Sequence, residues 1–399
     1  MIRKRPGLTV FAAGALTAFL PSAHAQNSVT LYGIIDAGVS YTNNVKGASA
    51  WQETVGKLGG SRWGLRGSED LGSGLAAIFM LESGFNAANG SLQQGGRLFG
   101  RQAFVGLSQA NVGTLTFGRQ YDPLADMVAP SVGSYIWAPS THIGDSDNLT
   151  QTFRVNNSVK FRSASFGGLS ADGLYGFSNQ AGSQPGDGFA NNRAWSAALN
   201  YTGGPVTFGA GYFELNHPNS STNGSGAVGG ATTTSGDDYS GAFFYNIDGG
   251  VARQRIGTAS ASVKLGLATL ASSFSRVILD YNDGAGRKLD NYDVSLRYLI
   301  KPSLLLISDY VYTDGHATDL PGQAGKSSKP KWHQLTLGAD YFLSTRTELY
   351  VTAEYQLAAG DASTLVNGHY VKIASIYTVG APSSTNRQVS VSTGLRHKF

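Results

Sequence analysis

The residues of this 399-residue chain that could do chemistry are dispersed rather than gathered. Beyond His24, the histidines stand at 142, 217, 316, 333, 369 and 397, with no HxxxH or HExxH pair, so the ligand spacing of a zinc site is missing. There is no cysteine, and no GxSxG elbow to present a serine nucleophile. Gly224-Ser225-Gly226-Ala227-Val228-Gly229 fits GxGxxG. It lies in a Ser/Thr/Gly-rich stretch without the strand and helix that give that motif its meaning. What remains is fixed charge. Arg62 and Arg66 oppose Trp63 and Leu65 on one alternating segment, and Arg154, Asn156, Ser158, Lys160 and Arg162 share one face of another. Such rows act electrostatically, orienting water and polar solutes, so neither catalysis nor a cofactor is expected.

The elements that carry these charges have a period of two. Val29, Leu31, Ile35, Ala37, Val39 and Tyr41 fall on one face of the first segment, with Thr30, Tyr32, Asp36, Ser40 and Thr42 on the other. The pattern predicts sixteen strands, at about 28–43, 60–70, 74–86, 97–108, 113–121, 153–163, 168–178, 193–202, 205–216, 251–264, 266–280, 289–300, 302–313, 332–343, 346–358 and 387–398. Their connections alternate between short and long throughout. The long ones cover 44–59, 87–96, 122–152, 179–192, 217–250, 281–288, 314–331 and 359–386. The stretch 121–152 is the most telling, because a connection of that length without secondary structure is usually functional.

Residues 1–25 are set apart from this pattern. Arg3, Lys4 and Arg5, the apolar run Leu8 to Leu20 and Ala23-His24-Ala25 make a secretory signal, with the mature barrel expected over 26–399. Removing it lowers the net charge of +4 by three basic residues to +1, so no basic tail is left to hold nucleic acid. No later run is long and apolar enough for a spanning helix. An exported β-protein without disulfides is then either soluble or a closed transmembrane barrel, the sheet form that leaves no backbone group unpaired in lipid. Strands of about ten residues joined by alternating tight turns and long loops are the organisation of outer-membrane barrels. A sixteen-stranded barrel has room for an aqueous lumen. Each polar row on its own fits either outer solvent or a wet interior.

Several long motifs in order, SVTLYGIIDAGVSY, GSRWGLRGSEDLGSGLAAIFMLESGF, GRLFGRQAFVGLS, VGTLTFGRQYD, FRVNNSVKF and the closing TGLRHKF, resemble the trimeric general porins of Gram-negative outer membranes, in the branch typical of β-proteobacteria. The resemblance runs from Ser28 to Phe399 and is densest before residue 180. It implies an all-β, sixteen-stranded antiparallel up-and-down transmembrane barrel in the outer membrane. It further implies a homotrimer, passive diffusion of small hydrophilic solutes and ions, and a third long loop folded into the lumen. Carried over by motif, Arg62, Arg66, Arg101 and Arg162 form a wall cluster facing loop acids Asp122 and Asp126; Arg119 serves the pore or the subunit interface. Family members often carry Pro-Glu after the second acid, where this chain has Ala129-Pro130-Ser131. Four arginines against two aspartates then imply a weak anion preference, which Asp145 and Asp147 would offset if turned inward. Charges about 10 Å apart interact by ~0.4 kcal/mol at a dielectric of 80 and ~1.7 at 20, a preference rather than a filter. Lipid and lipopolysaccharide are the expected surroundings, and Phe399, ending the last strand, is expected to be read by the barrel assembly machinery. The alternatives are a porin preferring sugars or organic anions, for which Tyr135 and Trp137 are the candidate aromatics, a barrel enzyme such as a lipase, and an adhesin acting through 217–250 or 359–386.

Overall fold

The computed structural model describes residues 28–133, 139–182, 188–218, 223–229, 239, 244 and 250–399. The expected signal and the aromatics Tyr135 and Trp137 lie outside them. Sixteen strands go once around a closed antiparallel barrel. They are β1 (Ser28–Val45), β2 (Arg62–Gly72), β3 (Leu75–Gly84), β4 (Gln102–Gln109), β5 (Gly113–Gln120), β6 (Val155–Ser163), β7 (Leu169–Gly176) and β8 (Arg193–Gly203). The second half is β9 (Val206–Asn216), β10 (Val251–Leu265), β11 (Ala268–Tyr281), β12 (Gly286–Lys301), β13 (Leu304–Thr318), β14 (Pro330–Phe342), β15 (Thr347–Gly360) and β16 (Arg387–Lys398). β1 closes the ring, pairing Ile34–Thr42 with Lys398–Ser390 of β16 on one side and Ser28–Ile34 with Ser68–Arg62 of β2 on the other.

Alternation has the sense of a membrane barrel. Val29, Leu31, Val105, Phe117 and Val294 are exposed on the outer face, whereas Ser275, Asn291, Asp293 and Thr313 are buried on the inner one. A soluble sandwich would place the two classes the other way round. Wall height is uneven: β4, β5 and β7 have 8 residues each, but β10 to β13 have 14 to 16.

Two connections depart from the expected alternation. The segment 44–59 is not a long loop: β1 turns at Lys46-Gly47, both with positive φ, and Ala48–Val55 pairs back on Val45–Ala37. Residues 56–61 then interrupt the returning strand before β2 resumes opposite Ile34. The connection after β11 is a tight turn at 282–285, because pairing continues to Asp280 and Gly286. Both misreadings have one cause: turn-forming Gly and Asn marked the bends but not how far the ladder extended past them. The start of β4 also shifts, from 97 to Gln102.

The segment after Tyr121 enters the lumen. It forms a π-helical turn, Leu124–Val128, then a 3-10 turn, Ala129–Ser131. Leu124 lies against Gly211 of β9, where a Cβ would stand 2.6 Å from Leu124 Cδ2. Polar stitches continue along the wall: Asn200 Nδ2 donates to Met127 O (2.8 Å), Ser260 Oγ to Val128 O (2.9 Å) and Gln254 Nε2 to Ser146 O (2.9 Å). Irregular backbone at membrane depth survives only where protein or water, not lipid, surrounds it.

Candidate functional site

The lumen is divided. One part, bounded by β6 to β14, is a packed apolar core that includes Leu124, Val128, Phe153, Phe213, Val277, Leu279 and Trp332. The connection 217–250 contributes to it: Tyr239 packs on Phe153 (centroids 5.3 Å) and Phe244 on Trp332 (5.8 Å). The Gly224–Gly229 motif is part of this filling. Its backbone wraps Asn192, with Val228 N donating to Asn192 Oδ1 (3.0 Å) and Asn192 Nδ2 to Asn223 O (2.9 Å). The expected aqueous lumen is thus confined to the remaining part of the cross-section. Inward apolar side chains in this sector, among them Phe213, Ile256, Val277 and Leu279, meet the apolar faces of two inserted connections.

The other part is polar. A cavity of about 430 Å³ is lined by Lys57, Arg62, Arg101, Arg154 and Arg396, with Gly59, Gly60, Thr152, Tyr377 and Thr378 and, among the described residues, without a carboxylate. The interruption 56–61 forms one lip. Here Asp36 receives the amides that leave the ladder: its carbonyl accepts from Gly56 N (2.9 Å), and its carboxylate from Leu58 N (2.7 Å) and Gly59 N (3.0 Å). The two glycines admit three guanidinium groups. A methyl on Gly59 would stand 3.5 Å from Arg396 Nη1 and 3.6 Å from Arg62 Nη2, and one on Gly60 3.3 Å from Arg101 Nη1.

Acids stand behind these cations, on their own wall. Arg101 Nε donates to Glu82 Oε1 (2.8 Å), Lys57 Nζ pairs with Glu354, and Arg396 Nε pairs with Glu348. Arg62 Nε donates to Gly60 O (2.9 Å). Opposite lies Tyr121, whose hydroxyl accepts from Arg101 Nη2 (2.6 Å) and Arg154 Nη2 (3.2 Å). Burial alone would raise the phenol's pKa, but Arg101 and Arg154 outweigh it and hold it below the ordinary value. The last long connection closes the ring, with Tyr377 OH 2.6 Å from Thr152 Oγ1 and Lys57 Nζ donating to Thr378 Oγ1 (2.7 Å).

The expected site residues separate accordingly. Arg62 and Arg101 line the cavity. Arg101 precedes the first paired residue of β4, so strand parity does not bind it and its side chain turns inward. Arg66 stacks on Tyr32 (5.6 Å to the ring centroid), away from that lining. Arg162 contacts a loop acid directly: its Nη2 lies 2.5 Å from Asp126 and 3.1 Å from Asp172, and Lys160 joins the same group. Asp122 is buried in the loop, accepting from Leu124 N (2.8 Å) and Asn148 Nδ2 (2.7 Å), and burial pushes its carboxyl up to about 6. The picture of loop aspartates facing arginines across open water is corrected, since one acid braces the loop and the other ties it to the wall. Asp145 and Asp147 are likewise buried. Asp145 accepts from Thr150 N and Thr152 N (2.9 Å each), and Asp147 contacts His142 Nδ1 (2.5 Å) and Ser275. Arg119 lies outside the cavity lining, donating to Gly100 O (2.8 Å) and Asn156 Oδ1 (2.5 Å). Lys57, Arg154, Arg396 and Tyr121 were missed as site residues. Arg154 had a signal, the polar parity it shares with Arg162; Lys57 was hidden in a stretch read as an external loop.

A barrel with an apolar outer face, an inserted connection and a cation-lined polar passage defines a transmembrane channel of the outer-membrane type. The chain belongs to the Gram-negative porin family, whose family model matches residues 12–361. It is 29% identical over 397 residues to outer membrane porin protein 32 of Delftia acidovorans, covering 96% of this chain and 98% of that protein. It is 40% identical over 239 residues to an outer membrane porin protein of Bordetella pertussis, a match spanning 54% of this chain and 61% of that relative. In fold it resembles the anion-selective porin from Comamonas acidovorans, with a TM-score of 0.71, 24% identity and coverage of 94% and 100%. These comparisons place the chain in the outer membrane as a channel rather than an enzyme.

Proposed function

We propose that the mature protein, residues 26–399 after loss of the 1–25 signal, lets small hydrophilic solutes and ions diffuse passively through the polar half of its lumen and weakly favours anions. Segment 121–152 acts as the constriction loop. Arg62, Arg101, Arg154, Arg396 and Lys57 set the sign of the preference; Arg162 and Asp126, with Asp122, hold the loop in place. The observation that carries this reading is the cavity lining, which among the described residues has five cations and no carboxylate. A ring of like charge biases which ions enter, and a Debye length of about 8 Å at physiological salt keeps the bias modest. As in the resemblance, the working unit is a homotrimer set in lipid and lipopolysaccharide, delivered through recognition of its C-terminal strand. A related Vibrio cholerae porin-fold protein, OmpT, is described in a trimer form.

The test is the reversal potential across a planar bilayer in a salt gradient. Wild type should favour chloride over potassium by roughly two- to fifteen-fold, the range that ~0.4 to ~1.7 kcal/mol spans. Arg62→Ala with Arg396→Ala should bring the ratio close to one. An unchanged ratio would refute the assignment while leaving the barrel intact. Preference for small organic anions is a second reading, favoured by the converging guanidinium groups of Arg101 and Arg154 on Tyr121; it requires current block by a dicarboxylate that the same variants lose.

A further inference from the structure

Tyr121 stands where two strands part. Gly118 of β5 faces Ser158 of β6, but Gln120 faces Val155, so β6 spends one residue more than β5 over this stretch. Asn157 takes a positive φ of 49° within it. Such a bulge re-aims the side chains beside it. Tyr121 and Arg154, the next residues past the Gln120–Val155 pair, are brought together at the cavity: Arg154 lines it and Tyr121 lies buried directly behind.

Two phenols flank the Arg101–Glu82 pair, and they are bonded in opposite senses. Tyr32 OH donates to Glu82 Oε2 (2.9 Å). Tyr121 OH instead accepts, from Arg101 Nη2 at 2.6 Å and Arg154 Nη2 at 3.2 Å. Both guanidinium groups also lie over the Tyr121 ring, at 5.9 Å and 5.0 Å from its centroid. A hydroxyl oxygen has two lone pairs, so here cations take both. A phenol that donates to a carboxylate holds its proton, whereas one that accepts from two cations is stabilised by losing it. The surrounding charges are these. Arg62 faces Tyr121 from β2 and Glu82 from β3, and Lys160 of β6 donates to its carbonyl oxygen (2.9 Å). Asp122, the next residue, ionises near pH 6, long before a phenol does. Lys57 and Arg396 are each matched by a carboxylate, Glu354 and Glu348. Arg62, Arg101 and Arg154 against Glu82 alone leave a positive excess around the phenol that one phenolate would halve.

We propose that Tyr121 is a specificity-determining residue of the passage: its hydroxyl, clamped between Arg101 and Arg154, passes its proton to solvent in alkaline medium, and the phenolate cancels part of the field that draws anions. This regulation rests on the anion-favouring reading of the cavity. Burial opposes the ionisation, but Arg101 and Arg154 outweigh it and hold the phenol below its ordinary value of 10.0, so the change comes short of that pH. The bias on passing ions scales with the net charge they meet. Halving that charge takes the chloride-to-potassium ratio to about its square root, from roughly two- to fifteen-fold down to about 1.4- to 4-fold.

The experiment reads the reversal potential of the refolded barrel in a planar bilayer, across a salt gradient, in steps from pH 7 to pH 10. The chloride-to-potassium ratio of wild type should fall along this range, and Tyr121→Phe should hold it level. Tyr32→Phe, at the phenol that donates, should leave the fall in place. Arg154→Gln, which removes one donor to the phenol, should move the fall to higher pH. Protein grown with 3-fluorotyrosine, a more acidic phenol, should show it at lower pH, and this arm needs no variant to fold. A wild-type ratio that stays level to pH 10, a fall of equal size in Tyr121→Phe, its loss in Tyr32→Phe, or a fall that fluorination does not move overturns the proposal. The ratio at pH 7 is judged separately. A value near one that still shifts toward potassium at higher pH would fail the neutral anion preference alone, and a chloride preference that never changes would fail the role of Tyr121 alone.

Discussion

The two halves of the lumen are enclosed by one continuous sheet, yet one is filled like the interior of a soluble domain and the other is left wet. The difference lies in the inward-facing side chains. On β10 and β11 these include Val251, Ile256, Val277 and Leu279, which join Phe153, Phe213 and the inserted Leu124 in a single core. Around β1, β3, β15 and β16 they include Asp36, Ser40, Glu82, Thr352, Glu354 and Ser390. An apolar inner face recruits loop side chains until water is excluded; a polar one keeps its water and its charges. The passage is therefore set to one side, and the packed half serves as the rigid support on which the constriction loop rests.

The largest expected effect comes from damaging the packed half. Phe153→Ala removes a ring fully buried between Phe213 and Tyr239 and should cost about 3–5 kcal/mol. The readout is an earlier thermal or urea transition of the detergent-solubilised barrel. Reversal potential should stay the same, and a shift as large as that from the Arg62 variant would mean the halves are not separable. Gly211→Leu tests their boundary. The new side chain meets Leu124 where even a Cβ would come within 2.6 Å of Cδ2, so overpacking should cost about 1–3 kcal/mol and push 124–128 toward the opening. Lower unit conductance is expected; a larger one would show that the turn had left the lumen.

Acidity should have the smallest effect. Burial pushes Asp122 and Asp145 up to about 6, with the neighbouring charges of Asp126 and Asp147, respectively, acting in the same direction. A carboxyl whose pKa is raised by folding favours the docked loop fully below its unfolded value near 3.8, and that contribution is lost as pH rises through about 6. His142, held well above its ordinary value against Asp147, and Asp147, held below its own, stay charged through that window. Single-channel records should thus show fewer interruptions at pH 5 than at pH 7.5, with a midpoint near 6. Asp122→Asn with Asp145→Asn should flatten the dependence, and a steeper profile in that variant would exclude these groups as its source.

Much of the barrel was legible in the sequence because its period-two alternation is the direct imprint of lipid on one side and a polar interior on the other. The residues that break the pattern held information that alternation alone could not decode. Val277-Ile278-Leu279 and Phe213 and Leu215 around Glu214 have apolar residues where a wet lumen wants polar ones. A strand apolar on both faces is buried on both, which was the available sign that this sector is filled. Arg62 could be placed by parity, whereas Arg101, just outside its strand, could not. The partners of Asp122 and Asp126 were beyond reach, because whether a loop acid faces water or caps a turn depends on tertiary contacts such as Asn148 and Arg162.

The gap between Val55 and Arg62 has a consequence for how the aperture could be altered. Ala37 faces Val55 and Ile34 faces Arg62, so six residues stand where the neighbouring strand spends two, Ile35 and Asp36. The surplus is even, which keeps the side chains above and below in phase. Lengthening or trimming this lip two residues at a time would change the calibre of the passage while every flanking pair keeps its partner. The same wall could thus be fitted with different openings.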